Sequence, residues 1–260
     1  MEMETGQDLM MLIGAYYIPK HNPSKPLGDD AYFFSHEAQV MGVADGVGGW
    51  ARKGIDAGKY SRLLMRNAED SVEDCRPHDV DPMRLLVESF MNTTEVEGSS
   101  TACIVSLAGD LLRAANLGDS GFMVIRGGKT FYKTEAQQHS FNYPYQIGWR
   151  HSTNIGSPEE AEDIVLGVEV GDVIVLGTDG LFDNVFEEDI EKIVGLCLEK
   201  NDPPEIMARK LAGTAVKNSL EDKTTPFEVA AYDAGVGHFG GKYDDVTVLV
   251  ACVCDSIFGI

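Results

Sequence analysis

Five short segments of the 260-residue chain each set an aspartate at the end of an apolar run, beside glycine or a second aspartate. They read Gly28-Asp29-Asp30-Ala31, Ala44-Asp45-Gly46-Val47-Gly48-Gly49, Leu117-Gly118-Asp119-Ser120-Gly121, Thr178-Asp179-Gly180 and Tyr243-Asp244-Asp245-Val246-Thr247. A carboxylate at a buried strand end is costly unless a cation meets it, yet no Lys or Arg stands within three residues of Asp45, Asp119 or Asp179. Brought together, such carboxylates repel one another and hold on to their protons. A bound divalent cation removes both penalties. Oxygen donors without patterned His or Cys favour hard Mg2+ or Mn2+ over zinc. Asp-Gly is also ordinary turn chemistry, and any one segment alone would say no more than that. Five in one chain say more. The glycines add a second use, because they let a backbone carbonyl approach a ligand closely.

The elements that must position these carboxylates are visible in the periodicity. Val40-Met41-Gly42-Val43-Ala44 is a strand-like run ahead of Asp45, and Val173-Ile174-Val175-Leu176-Gly177 is another ahead of Asp179. Tyr32-Phe33-Phe34 and the run from Gln39 to Ala44 read as two strands about the polar turn Ser35-His36-Glu37. Thr101 to Leu107 and Leu111 to Leu117 flank Ala108-Gly109-Asp110, a hairpin signal, and a strand from Phe122 to Ile125 turns at Gly127-Gly128. Apolar spacing predicts helices from Ile55 to Ala68, Pro82 to Met91, Glu188 to Glu199 and Pro204 to Leu220. Val246 to Cys252 is the last strand. Gln137 to Ala161 has no clear period and is read as a long irregular segment, of the kind that often carries function. Strand runs toward both ends with paired helices in the middle predict an α+β fold, two antiparallel sheets covered by helices.

Composition narrows the function classes. A hydrophobic content of 43% argues for an ordered core, and the length suits one domain over residues 1–260. The formal charge of −21 argues against electrostatic binding to nucleic acid or anionic lipid. An anionic substrate would need a local cation to approach such a surface, and a metal centre supplies one. No stretch approaches ~18 uninterrupted apolar residues, so no membrane span is expected. Cys75, Cys103, Cys197, Cys252 and Cys254 form an odd, scattered set without CxxC spacing, unlike a disulfide framework or a zinc site. A reducing, intracellular compartment is expected, with Cys103 and Cys252 in the core. The acidic start Met1-Glu2-Met3-Glu4-Thr5 lacks the marks of a transit or signal peptide. Either the protein is not imported or a targeting segment has been removed. A monomer is expected.

In this order the five segments closely resemble the type 2C, metal-dependent (PPM) protein serine/threonine phosphatases. The likeness runs from about Leu27 to Val250. Its strongest pieces are Asp-Gly-Val-Gly-Gly-Trp (45–50), Gly-Ser-Ser-Thr-Ala (98–102), Asn-Leu-Gly-Asp-Ser-Gly (116–121), Thr-Asp-Gly-Leu-Phe-Asp-Asn (178–184) and Gly-Gly-Lys-Tyr-Asp-Asp-Val-Thr (240–247). Residues 137–146 and the Gly-Val-Gly-Gly-Trp variant look like the compact branch common in plants and organelles, which suggests a chloroplast or mitochondrion. The resemblance implies a central β-sandwich flanked by helices in four α-β-β-α layers, and a binuclear Mg2+ or Mn2+ centre. Asp45 would bridge the two ions, Asp29 and the Gly46 carbonyl would complete one, and Asp179 and Asp244 would hold the other. Asp119 matches the aspartate that joins Asp179 at a weaker third metal in many members. Asp30, Asp183 and Asp245 would orient metal-bound waters. Asp45 and Asp179 would carry catalysis, through a hydroxide that the two cations make available near neutral pH and that attacks phosphorus in line. The implied substrate is a protein phosphorylated on serine or threonine.

Two departures stand out. Many members have an Arg four residues before the first ligand, contacting the phosphate. Here that place is Lys25, which binds phosphate as a point charge without the bidentate fork, or is simply a solvated loop lysine. The family's Asp-Gly-His pattern, whose histidine is proposed as general acid, reads Val47 at the third position. His139 is a candidate replacement only by lying in the irregular segment. Arg52 and Lys53 are candidates for holding an acidic phosphopeptide. Three other readings stay open: a pseudophosphatase that binds phosphoproteins, a small-molecule phosphohydrolase, and a serine protease through Gly118-Asp119-Ser120-Gly121, which lacks the upstream histidine context that chemistry requires.

Overall fold

The structure, a computed structural model, describes residues 9–73, 75–76, 79–152 and 155–256. The strand runs are apolar at nearly every position because both faces of each central strand are covered. Ile174 and Leu176 point into a core shared by two sheets, while Val173 and Val175 pack beneath helices. That split follows from the two-residue period of a strand.

The strands are β1 (Leu9–Ile18), β2 (Asp30–Ser35), β3 (Val40–Asp45), β4 (Ser99–Ser100), β5 (Ala102–Ala108), β6 (Leu111–Leu117), β7 (Gly121–Arg126), β8 (Lys129–Lys133), β9 (Gln138–Ser140), β10 (Tyr143–Pro144), β11 (Ile147–Gly148), β12 (Glu162–Gly167), β13 (Val173–Gly177) and β14 (Val246–Asp255). Two five-stranded antiparallel sheets form, in the orders β1-β14-β13-β7-β8 and β12-β6-β5-β3-β2. Their facing sides bury Met11, Val43, Val105, Phe122, Leu176 and Leu249. Helices α1 (Ala57–Val72) and α2 (Pro82–Met91) cover one sheet by packing Tyr60, Leu64 and Leu86 on Val40, Ile104 and Leu117. After the short α3 (Asp179–Phe182), α4 (Glu187–Glu199) and α5 (Pro204–Leu220) cover the other, packing Ile190, Val194 and Leu211 on Val175, Val248 and Val250. A last helix, α6 (Pro226–Asp233), follows. The layers run α-β-β-α, as the resemblance implies.

Local chemistry sets several boundaries. Asp56 accepts from the Gly58 N–H at 3.2 Å, so α1 begins two residues later than its apolar spacing predicts. Asp81 accepts from the Met83 N–H at 3.0 Å and caps α2 at its expected start. Such caps contribute about 1 kcal/mol each. The strand reading omits β1, β8 and β12, and the helix reading omits α6. Within Gln137 to Ala161 the chain forms the short ladders β9–β10 and β11–β4. Cys103 is fully buried, whereas Cys252 is partly buried and packs against the edge of the core beneath the helices. No helix among the described residues is long and apolar enough to cross a membrane. The acidic start, Met1 to Thr5, lies outside the described residues.

Candidate metal centre

Antiparallel pairing gathers the five aspartate segments at one end of the sandwich. Asp45 closes β3 directly opposite Asp30, which opens β2. Asp119 sits in the turn from β6 to β7. Asp179 follows β13 and Asp244 precedes β14, two strands paired there with Gly177 opposite Val248. The result is a cleft of about 410 Å3 lined by Asp29, Asp45, Gly46, Asp119, Asp179 and Asp244. Lys20, Lys25, Lys242 and Asp245 also face it, with Val47, Gly48 and Gly49 from the loop after β3 and Asn142 and Pro144 from the irregular segment.

Not every candidate reaches the cleft. Arg52 is exposed and outside its lining, with Ala51 the last residue of that loop to touch it. Lys53 lies 4.7 Å from the centre of the Trp50 ring. Asp30 is buried, and its Oδ2 accepts from the Thr178 hydroxyl (2.8 Å) and the Thr247 hydroxyl (2.7 Å), tying one sheet to the other. Asp245 accepts from the Tyr17 hydroxyl, the Lys20 N–H and the Asp29 N–H at 3.1, 2.7 and 2.9 Å, so it fixes the segment that carries Asp29. Asp183 also lies outside the lining and accepts from the Lys242 ammonium at 3.0 Å. His139 stacks on Tyr145, ring centres 4.3 Å apart, and does not line the cleft. Ser120 is buried with its Oγ 2.7 Å from the Thr101 hydroxyl, and no histidine lines the cleft among the described residues, so a serine-protease triad is absent there.

The cleft wall is braced from behind. The Trp50 indole donates to the Ser99 hydroxyl at 2.6 Å, and that hydroxyl donates to Gln146 Oε1 at 2.6 Å. The loop after β3 is thereby tied to the irregular segment. Gln138 Nε2 donates to Asp119 Oδ2 at 3.0 Å and aims that carboxylate.

Electrostatics follow from crowding. Burial first, then the charges of Asp179, Asp30 and Asp244, push the Asp45 carboxyl well above the usual carboxylate range, against a smaller opposing effect of Lys242. Burial and then Asp179 likewise raise Asp244. Asp119 is pushed up to about 7 by burial and then Asp179. Burial raises Asp183 to about 8, although Lys242 pulls it back. Lys242 is the cleft residue that sequence reasoning overlooked. It lies inside a quoted motif, but its partner Asp179 is 63 positions away in sequence, and no local pattern marks that contact. Its ammonium donates to Asp179 and Asp183 and lies 3.4 Å from Asp244. Lys25 similarly donates to both oxygens of Asp29 at 2.9 and 3.0 Å.

Among the described residues no three His, Cys, Asp or Glu side chains form a finished metal cage, and lysine ammonium groups lie against several of the carboxylates. The donor set still fits hard divalent ions. Asp179 Oδ1 is buried without a hydrogen-bond partner, an expensive state that a cation relieves. At Gly46 a Cβ would stand 2.6 Å from the Asp29 carbonyl oxygen, so only glycine lets these two segments meet.

The four layers set an acidic cleft at the strand ends of the sandwich. No protein-family model matches the chain. Individual relatives do. It is 44% identical over 249 residues to "Probable protein phosphatase 2C 55" of Arabidopsis thaliana, covering 95% of this chain and 53% of that protein. With "Putative protein phosphatase 2C 24" of Oryza sativa subsp. japonica the identity is 38% over 261 residues, covering 97% and 79%. With the human "Protein phosphatase PTC7 homolog" it is 38% over 243 residues, covering 88% and 80%. The X-ray structure of the photosystem II phosphatase PBCP superposes with a TM-score of 0.84 at 32% identity, over 93% of this chain and 98% of that one. The catalytic domain of PstP, solved with two manganese ions, shares the fold at 18% identity and a TM-score of 0.67, over 95% and 100%. The chain belongs to the protein phosphatase 2C family. It spans about half the length of the first Arabidopsis relative and 60% of a second.

Proposed function

We propose that this chain hydrolyses phosphoserine and phosphothreonine in proteins, using two Mg2+ or Mn2+ ions held in the cleft. One observation carries this reading: carboxylates from five distant segments converge on one cleft, and a buried oxygen of Asp179 has no partner. Asp29, Asp45 and the Gly46 carbonyl would hold one ion, and Asp45, Asp179 and Asp244 the other. When bound, the ions supply an acidified water and screen the phosphoryl charge.

The chain's own residues bind and orient. Lys25 and Lys20 present ammonium groups at the cleft in a protein of charge −21, and so give a phosphate dianion a local attraction. Lys25 needs only to exchange one Asp29 oxygen for a phosphate oxygen. Val47 faces the cleft with an apolar side chain, so no imidazole stands there to protonate the departing alkoxide. Asn142 and Pro144 bring the irregular segment to the cleft, where it meets the protein chain around the phosphate. Exposed Arg52 is available to acidic residues flanking it. The complete carboxylate set favours turnover over a purely phosphoprotein-binding role. Plant relatives and the likeness to a photosystem II phosphatase support a chloroplast setting over a mitochondrial one, testable by import of the full-length product into isolated chloroplasts. A monomer is proposed, to be checked by light scattering.

The deciding experiment is hydrolysis of a phosphoserine peptide by rigorously chelated protein, with and without restored Mn2+ or Mg2+. Activity should vanish in EDTA and return with metal. Undiminished turnover after chelation, or none under any metal, would sink the proposal.

A further inference from the structure

The geometry points to Lys242 as a built-in cation that takes the place of a third metal ion, so that this centre accepts two divalent ions and no more. The inference rests on the phosphatase reading above and concerns the one ion of that reading which the residues do not fit. The resemblance leads to a weaker third ion between Asp119 and Asp179. That side of the cluster already holds a positive charge: Lys242 acts on the Asp119 carboxyl electrostatically and bonds Asp179 directly. The Lys242 ammonium donates to Asp179 Oδ2, donates to Asp183 at 3.0 Å and lies 3.4 Å from Asp244 Oδ2. It leaves Asp179 Oδ1 buried without a hydrogen-bond partner. One ammonium carries three donors, enough to serve three carboxylates at once.

The placement is built into the surrounding chain. The Lys242 N–H donates to Asn184 Oδ1 at 3.0 Å, and Asn184 Nδ2 donates back to the Lys242 carbonyl at 2.9 Å. Asn184 Nδ2 also donates to the Gly180 carbonyl at 2.9 Å, within the turn that carries Asp179 and Asp183. One short segment therefore holds two of the carboxylates and the backbone of the cation that meets them. Gly241 makes the approach possible. A Cβ there would stand 2.5 Å from Ser219 Cα and 2.6 Å from Asn184 Oδ1. The ammonium also lies 5.5 Å from the centre of the Phe227 ring, a further attraction for a cation.

A divalent ion entering between Asp119 and Asp179 would have to share oxygens with this ammonium and meet its repulsion. Being part of the chain, the lysine is present at every metal concentration. Its work is to balance charge and to position Asp179.

The test counts ions rather than turnover. Bound Mn2+ per chain is measured by equilibrium dialysis at saturating metal for wild type, Lys242→Gln and Lys242→Arg. Wild type should bind two, Lys242→Gln should gain a third, and Lys242→Arg, which keeps the charge, should remain at two. A wild-type count of three would overturn the inference without reference to any variant, and leave the phosphatase reading intact. A Lys242→Gln count of two would overturn it as well. No Mn2+ bound to wild type would overturn the phosphatase reading and this inference with it.

Discussion

Asp45→Asn and Asp179→Asn remove the same charge from the same cleft, and are expected to move the metal-free protein in opposite directions. The Asp45 carboxylate faces Asp179, Asp30 and Asp244, and burial adds to their repulsion. Its penalty has a ceiling. At pH 7 a carboxyl with an ordinary pKa near 3.9 loses at most about 4 kcal/mol before it takes up a proton and escapes. Asp45 is only half-buried and Lys242 offsets part of the repulsion, so Asn should recover about 1–2 kcal/mol, a rise in Tm of about 2–8 °C at this chain length. Asp179 differs because Lys242 donates to it. A hydrogen bond to a charged group contributes about 1.5–3 kcal/mol, and relief of repulsion returns part of that. Asp179→Asn should therefore lower the metal-free Tm by about 2–4 °C, a loss of about 1 kcal/mol.

The assay is thermal unfolding by circular dichroism at pH 7, first in EDTA and then in saturating Mg2+. Wild type gains stability on metal binding by mass action, and a variant lacking a ligand gains less. Asp45→Asn should thus lie above wild type in EDTA and below it in Mg2+. That crossover marks a metal ligand, since a carboxylate with a merely structural role keeps one sign in both conditions. Two variants shifting together in EDTA, or Asp45→Asn starting below wild type, would refute the reasoning.

Three further outcomes are expected. In EDTA the protein should lose stability as pH rises from 6 to 8: Asp119 and Asp183, raised to about 7 and about 8, hold protons in the folded state that the unfolded chain has already released, and their contribution is greatest below about pH 4. Mg2+ should flatten that slope, and a Tm that climbs with pH in EDTA would count against the crowded-carboxylate picture. Gly46→Ala, whose Cβ meets backbone of both Asp29 and Ala57 at 3.0 Å or less, should cost about 1–3 kcal/mol in a urea melt and cut metal affinity; wild-type values for both would remove the close-approach argument. Val47→His keeps the N–H bond to the Ser99 carbonyl at 2.9 Å and should speed phosphoserine hydrolysis more than that of p-nitrophenyl phosphate, whose leaving group needs little proton donation; equal losses on both substrates would show that Val47 matters for packing instead.

What was legible in the sequence is what local chemistry encodes. The run before Asp179 announces a strand, Ala108-Gly109-Asp110 announces a hairpin with Gly109 at φ 66°, and Asp81-Pro82 announces a helix start. Elements without a local signature went unread. β1 is an edge strand that depends on β14, more than two hundred residues away. α6 is only eight residues long, held by the Thr225 cap and by Phe227. In the cleft, residue types and order pointed to the carboxylates, but their partners did not show. Asp30 meets Thr178 and Thr247 across 148 and 217 positions, and Asp245 holds Tyr17 across 228. A motif marks a carboxylate; only the assembled fold reveals which cation answers it.

The division of the proposed ligands between the sheets has its own consequence. Asp29 and Asp45 lie at the ends of β2 and β3 in one sheet, and Asp179 and Asp244 at the ends of β13 and β14 in the other. An ion held between Asp45 and Asp179 is therefore a clamp across the sandwich. At the same end Asp30 spans the sheets by accepting from Thr178 and Thr247, and Asp245 holds the chain that brings Asp29 into place. Without metal, those polar bonds and the lysine contacts resist the repulsion of the gathered carboxylates. With metal bound as proposed, the repulsion would become coordination. On the proposed two-ion reading, separating the two sheets would require releasing the ions, so metal affinity and the stability of the sandwich would be two measures of one interface.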